Sequence, residues 1–276
     1  MHGRVLIIAG SDSGGAAGLQ ADMKTVSALG GYAATAVTAL TAQNTLGVFG
    51  VQSVPADFIR LQIEVVLDDI GADCLKTGML HLPEVIETVI RVCQSKGGDI
   101  PLVVDPVMVA KGGDRLLDPS AEEALKKLLL PQASIITPNL PEAEALTGIR
   151  IENTSHMRKA AELLYQMGPQ AVLIKGGHRK EEMVTNVLLN RDGIKLYEHG
   201  RISQKKVHGT GDSLASAIAV GLAQRMPLRD AVARAFHYVH QAIEHAPALG
   251  KGFGPLNHFY LFHALNKEER RKYGNL

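Results

Sequence analysis

The sequence predicts a three-layer α/β fold, a mostly parallel central sheet flanked by helices, with a small antiparallel edge. Three observations predict it. Short runs rich in Val and Ile alternate with longer stretches of helical period, the pattern of βαβ crossovers. The strand-like runs are apolar almost throughout, as strands buried on both faces must be. After Gly177 the pattern changes to short runs split by turn residues, which marks an antiparallel edge.

Residues 5–9, 35–40, 74–77, 102–105, 134–137 and 171–175 read as the buried strands. Between them, Leu19, Met23, Val26 and Leu29 recur at spacings of three and four, as do Ile59, Ile63, Val66, Leu67 and Ile70. A helix over 83–94 puts Val85, Ile86, Val89, Ile90 and Cys93 on one face. Further helices are expected over 120–130, 141–146 and 156–167. Residues 184–189, 194–198 and 202–207 read as a meander, with turns at Asn190 to Gly193 and at His199-Gly200. Two helices, 212–224 and 227–246, close the fold, and Pro227 suits the first turn of the second. There is no Ser/Gly-rich linker and no internal repeat. One domain over 1–265 is expected, followed by a C-terminal tail over 266–276.

Composition narrows the function. The 276 residues include 29 Lys plus Arg against 28 Asp plus Glu, so no basic excess is available to neutralise a nucleic-acid backbone. The one concentrated charge run, Lys267 to Lys272, reads as a solvated tail. No apolar run approaches the roughly 18 residues of a membrane span, and Val5 to Ile8 is too short for the core of a signal peptide. A cytoplasmic protein is expected. Cys74 and Cys93 sit in apolar periodic segments without metal-ligand spacing and read as core residues. His237 and His240 lack a third ligand and read as helix-surface or interface residues rather than a zinc site.

The strongest local signal is His208-Gly209-Thr210-Gly211-Asp212-Ser213, a glycine loop that opens a helix. Glycines let backbone N–H groups converge, and the helix N-terminus adds partial positive charge, so the turn suits an anion. Asp212 at its mouth could take a proton from an attacking hydroxyl; the alternative is that Asp212 or Ser213 is only an N-cap. Gly10 to Thr25 is a second glycine-rich strand-to-helix turn, matching neither the P-loop nor the dinucleotide fingerprint. Its glycines would let a planar ligand approach the backbone, with Asp22 as a polar anchor; a purely structural turn is the alternative. Asp105 ends one strand, and Asn139 and Glu142 follow the next. Asp105 and Glu142 could hold Mg²⁺ through water, or Asn139 and Glu142 could simply cap their helix. Lys175 ends another strand beside Gly176 and Gly177, either meeting a nucleotide phosphate as a point charge or lying on the surface. Gln43 offers an amide that donates and accepts, and Met79 a soft apolar wall.

Together these motifs resemble the hydroxymethylpyrimidine kinase/hydroxymethylpyrimidine-phosphate kinase family of the ribokinase-like superfamily. The resemblance rests on Ala9 to Ala16, Gln20 to Thr25, Thr38 to Thr45, Lys76 to Leu80, Val104 to Met108, Thr137 to Glu142, Lys175 to His178 and His208 to Gly211, in that family's order, with Gly254 to His258 like its C-terminal signature. It implies a ribokinase-like fold, usually a homodimer. It also implies ATP with Mg²⁺, and phosphorylation of 4-amino-5-hydroxymethyl-2-methylpyrimidine and then of its monophosphate, in thiamine biosynthesis. By the same resemblance Gly10, Asp22, Gln43 and Met79 would line the pyrimidine pocket. Asp105, Asn139 and Glu142 would organise Mg²⁺ and phosphate, Lys175 would contact the nucleotide phosphates, and Gly209, Thr210 and Gly211 would form the anion hole. The chain departs from the family at three places: Asp212 stands where Cys is common, Ser213 where Thr is common, and Phe236 where Lys is common. Asp at this place resembles the sugar kinases and pyridoxal kinases of the same superfamily. A pyridoxal or pyridoxine kinase, and a non-catalytic ligand-binding dimer descended from such a kinase, are the other readings.

Overall fold

The computed structural model describes residues 1–109, 116–177, 182–202 and 207–262. The chain opens with β1 (Arg4–Asp12), α1 (Gly18–Ala28), β2 (Tyr32–Asn44), β3 (Gly47–Ser53), α2 (Ala56–Asp69), β4 (Cys74–Thr77) and α3 (Pro83–Lys96). Next come β5 (Leu102–Val104), α4 (Ala121–Ala124), β6 (Ile135–Ile136), α5 (Leu140–Thr147), α6 (Thr154–Gln166) and β7 (Ala171–Ile174). It closes with β8 (Met183–Asn190), β9 (Gly193–Gly200), β10 (Val207–His208), α7 (Thr210–Ala223), α8 (Leu228–Glu244) and β11 (Gly254–Pro255).

The main sheet has the order β3-β2-β1-β4-β5-β6-β7-β8-β9. From β2 to β7 every neighbouring pair is parallel. Both edges are antiparallel, β3 on one side and β8–β9 on the other. Side-chain alternation along the strands feeds two cores. Leu6, Ile8, Leu75, Val104 and Ile136 pack with α2, α3, α5 and α6. Val5, Ile7, Ala9, Cys74, Val103 and Ile135 pack with α1, α7 and α8 on the other face. That gives the three layers expected. The two cysteines are buried and free, as read from the sequence.

Several expectations need correction or lie out of view. The helix expected over 120–130 keeps regular α-geometry only through Ala124. It then widens into a π-turn over Leu125–Leu129 and ends in a 3₁₀ turn, Leu130–Gln132. Pro131 accounts for the break, because it has no N–H to donate and its ring clashes with the carbonyl four residues back. Of the third meander strand expected over 202–207, only residues 202 and 207 are described. Val207 and His208 pair instead, in parallel, with Gly254 and Pro255, and 203–206 lie outside the described residues. Strand β3 was not foreseen. Pro227 is the N-cap of α8 rather than part of its first turn. The tail over 266–276 and His178 lie outside the described residues.

Candidate active site

The parallel strands all end on one side of the sheet, and prolines set where several stop. Pro106 and Pro138 follow β5 and β6 closely and cannot donate to a ladder. They leave Asp105 and Asn139 at the strand ends. The chain leaves β1 to one side for β2, and β4 then pairs on β1's other side, so β1 is the point where the strand order reverses. Open α/β sheets bind ligands in the crevice at such a point.

Gly10 and Met79 meet there. A Cβ on Gly10 would lie 3.1 Å from Met79 Sδ, so glycine is what lets the two strand ends close up. Thr38 Oγ1 fixes the next turn by donating to the Met79 carbonyl at 2.6 Å. Gln43 sits half-buried at the end of β2. Its Oε1 accepts from Thr41 Oγ1 (3.1 Å), and its Nε2 lies 2.7 Å from His208 Nε2, which ties β2 to the glycine loop before α7.

The turn after β1 is organised by a residue that sequence reasoning passed over. Asp12 is 3% exposed. Its Oδ1 accepts the Gly14 N–H (2.8 Å), and its Oδ2 accepts those of Ala16 (2.9 Å) and Ala17 (2.8 Å). Those amides therefore serve the chain's own carboxylate. The only sequence signal was an acidic residue inside a glycine-rich loop.

The turn before α7 differs in this respect. Its N-cap is Gly209, in the left-handed region at φ 81°, and no side chain caps the helix. Asp212 and Ser213 lie inside the first turn, so the reading of either as a mere N-cap is set aside. Ser213 Oγ instead donates back to the Gly209 carbonyl at 2.7 Å. The first amides of a helix have no intrahelical acceptor. Here the N–H groups of Thr210, Gly211 and Asp212 open toward the strand ends with the helix dipole behind them.

Charges flank that turn. Lys175 Nζ donates to Asp105 Oδ1 at 2.9 Å, and Thr137 Oγ1 donates to the same oxygen at 2.9 Å. A Cβ on Gly211 would lie 3.2 Å from Lys175 Nζ and 3.4 Å from Asp105 Oδ2, so this ion pair abuts the open amides. Burial opposes the charge on Lys175, but Asp105 and Glu142 outweigh it and raise its pKa. Burial likewise opposes the charge on Asp105, and Lys175 and Lys76 win, lowering its pKa. Asn139 and Glu142 form a capping box on α5: Glu142 N–H donates to Asn139 Oδ1 (2.9 Å), and Asn139 N–H donates to Glu142 Oε2 (2.8 Å). Asn139 bridges Lys175 between strand ends, so the capping pair stands beside the lysine. Burial pushes the Glu142 carboxyl up to about 7, against the pull of Lys175.

Asp22, expected in the pocket, is 0% exposed, with one oxygen on Lys76 Nζ (2.7 Å) and the other on Ser216 Oγ (2.6 Å). A carboxylate one helical turn past a glycine loop gave no sign of this partner. The sign lay in β4, where a lysine stands inside a strand buried on both faces. The depression bordered by Arg4, Asp73 and Arg225 lies at the opposite ends of the strands and holds none of these residues.

Among the described residues no three His, Cys, Asp or Glu side chains come together in a way that would hold a metal directly. The donor set of Asp105 and Glu142 fits Mg²⁺, an ion that keeps several of its waters and takes one or two carboxylates beside substrate phosphates. His240 pairs with Glu244 at 3.4 Å, and His237 is exposed, as the sequence reading had them.

A profile of the phosphomethylpyrimidine kinase family matches residues 12–257. The chain belongs to that family. It is 44% identical over 257 residues to the hydroxymethylpyrimidine/phosphomethylpyrimidine kinase of Bacillus subtilis, covering 93% of this chain and 94% of that one. It is 48% identical over 257 residues to the thiamine biosynthesis bifunctional protein ThiED of Geobacter sulfurreducens, of which it spans about half the length (52%). Among solved structures, the phosphomethylpyrimidine kinase of Clostridium difficile superposes with a TM-score of 0.78 at 43% identity, over 87% of this chain and 99% of that one. The ADP complex of Bacillus subtilis pyridoxal kinase superposes with a TM-score of 0.87 at 34% identity, over 95% and 99%. The crevice at β1 therefore lies in the fold of a kinase family.

Proposed function

We propose that the chain transfers the γ-phosphoryl group of ATP to the hydroxymethyl group of 4-amino-5-hydroxymethyl-2-methylpyrimidine, and then phosphorylates the monophosphate, as a kinase of thiamine biosynthesis. One observation carries this reading. The uncapped amides at the start of α7, the Asp212 carboxylate and the Lys175–Asp105 pair come together at the ends of the parallel strands. Phosphoryl transfer asks mainly for positioning and electrostatic stabilisation, and this arrangement provides both.

In this mechanism Asp212, whose side chain is 18% exposed, takes the proton of the acceptor hydroxyl as its oxygen attacks the γ-phosphorus, and the bond from that phosphorus to the β-phosphate oxygen breaks to release ADP. The N–H groups of Thr210, Gly211 and Asp212, with Gly209 shaping their turn, hold the charge of the transferring group. Lys175 meets the nucleotide phosphates. Asp105 and Glu142, the latter held by Asn139, would hold Mg²⁺ through water, and the ion would neutralise phosphate charge. Gly10 and Met79 wall the heterocycle, and Gln43 reads its ring nitrogen and amine. The protein works as a homodimer. Among the described residues no helix is long and apolar enough to cross a membrane.

The testing experiment follows phosphate transfer from ATP to the hydroxymethylpyrimidine, its monophosphate and pyridoxal side by side, in the wild type and in Asp212→Asn. The wild type should favour the pyrimidines. The variant should lose about 10²–10⁴-fold in turnover, the usual contribution of a general base, while still binding ADP. Undiminished turnover removes Asp212 from the role, and no transfer to any acceptor leaves the non-catalytic reading. A pyridoxal kinase is the second reading. The pyridoxal kinase superposition and the Asp at position 212 favour it, and preferred transfer to pyridoxal would establish it.

A further inference from the structure

A lysine with no exposed surface lies in β4 beneath the site. All four residues of that strand are buried. Alternation sends Leu75 into the core under α2 and α3, and Cys74 and Lys76 to the face covered by α1 and α7. There Lys76 Nζ meets Asp22 Oδ2 at 2.7 Å, both side chains 0% exposed. The second oxygen of Asp22 accepts from Ser216 Oγ at 2.6 Å. The same ammonium lies 3.8 Å from Asp212 Oδ1. Asp212 and Ser216 are four residues apart on α7 and so share a face, one turn apart. The contacts therefore close a ring: Asp212, Lys76, Asp22, Ser216, and back along the helix to Asp212.

Stability does not explain this ring. Taking an ammonium and a carboxylate out of water costs so much that a packed apolar pair is often at least as stable. What an apolar pair lacks is a fixed positive charge behind Asp212. Three carboxylates face Lys76: Asp22 from α1, Asp212 from α7 and Asp105 from the end of β5. Burial opposes its charge, and the three together outweigh burial. Asp212 is faced in turn by Lys76, Lys175 and Asp22.

We propose that Lys76 is the positioning residue for the base of phosphoryl transfer: it holds the Asp212 carboxylate aimed at the acceptor hydroxyl, and Asp22 with Ser216 holds Lys76 in place. The inference rests on Asp212 acting as that base. It assigns Asp22 a role one step removed from the substrate.

The test removes both buried charges together, Lys76→Met with Asp22→Asn, so that neither is left unpaired. Thermal unfolding checks the fold. A displacement of about 1 Å at a reacting group can cost on the order of 10²-fold in rate. Losing Lys76 should therefore lower kcat by about 10-fold or more, while KM for ATP stays near its wild-type value. A folded double variant with the wild-type kcat overturns the proposal. Should the double variant fail to fold, Ser216→Ala carries the test: it loosens Asp22 without leaving a bare charge, and should lower kcat by less, again without raising KM for ATP. An unchanged kcat there is equally fatal. Asp212→Asn separates the two readings. If it abolishes turnover while the double variant behaves as wild type, only the role of Lys76 falls. If it leaves turnover intact, the base and its positioning residue fall together.

Discussion

Gly209 shows how tightly single residues are specified at the site. Its φ of 81° lies in the left-handed region, and a Cβ there would collide with the Ala16 carbonyl, so the turn before α7 packs backbone to backbone against the turn after β1. A non-glycine residue held in such a conformation costs about 1–3 kcal/mol, and the collision adds to that. Gly209→Ala should therefore lower the melting temperature and reduce turnover by moving the open amides. Wild-type stability and turnover in that variant would mean the turn is not under this constraint. Gly209, Gly10 and Lys175 were legible because glycines and a charge at strand ends are conspicuous. Asp12 and Lys76 were not, because their meaning depends on partners distant in the fold: three loop amides for one, and α1 and α7 for the other. Asn139 and Glu142 show why opposing readings need not exclude each other. They form a capping box, and the box holds them beside Lys175.

Among the elements, β1 and β4 to β7 could be read from sequence because both faces are buried and the runs are apolar. Strand β3 could not. Most of it is exposed, so no alternation between core and solvent marks it. Strand β11 is only two residues long and carries no pattern at all. Yet the segment that follows β11 is anchored by a residue with its own pH signature. His258 is 2% exposed, with Nδ1 3.0 Å from Tyr238 Oη and 3.3 Å from Thr25 Oγ1, so it fastens the segment to α8 and α1. Burial, aided by Lys24, lowers its pKa from 6.5 to about 4. A histidine held neutral in this way contributes its full stability above about pH 6.5 and loses it as pH falls through about 4. The difference is on the order of 3 kcal/mol. Unfolding free energies measured between pH 7 and 4 should fall accordingly, and His258→Gln should flatten that part of the curve. An identical slope in the variant would place the acid sensitivity elsewhere.

For the molecule as a whole, the sequence yielded the layers and the parallel direction. It did not yield the second antiparallel edge, and that edge bears on assembly. Strand β3 is the last strand on its side of the sheet, and its seven residues, Gly-Val-Phe-Gly-Val-Gln-Ser, include no charge. Natural edge strands are usually protected by charged side chains, proline or a covering element. Here Phe49 is 71% exposed, and Leu46, Val51 and, on the neighbouring α2, Phe58, Leu61 and Val65 are also exposed. A second copy of the chain against this edge would remove that surface from water, and the proposed homodimer is best served by it. Sedimentation velocity should then find the wild type at twice the mass of one chain. Phe49→Glu, which puts a charge where apolar contact is expected, should shift it to a single chain without unfolding it. The same variant bears on the site, because β2 pairs with β3 and carries Gln43 at its end, so a loosened edge should raise KM for the pyrimidine more than KM for ATP. A wild type that sediments as one chain at assay concentrations would sink the dimer. It would leave the crevice at β1, which is built within one chain, untouched.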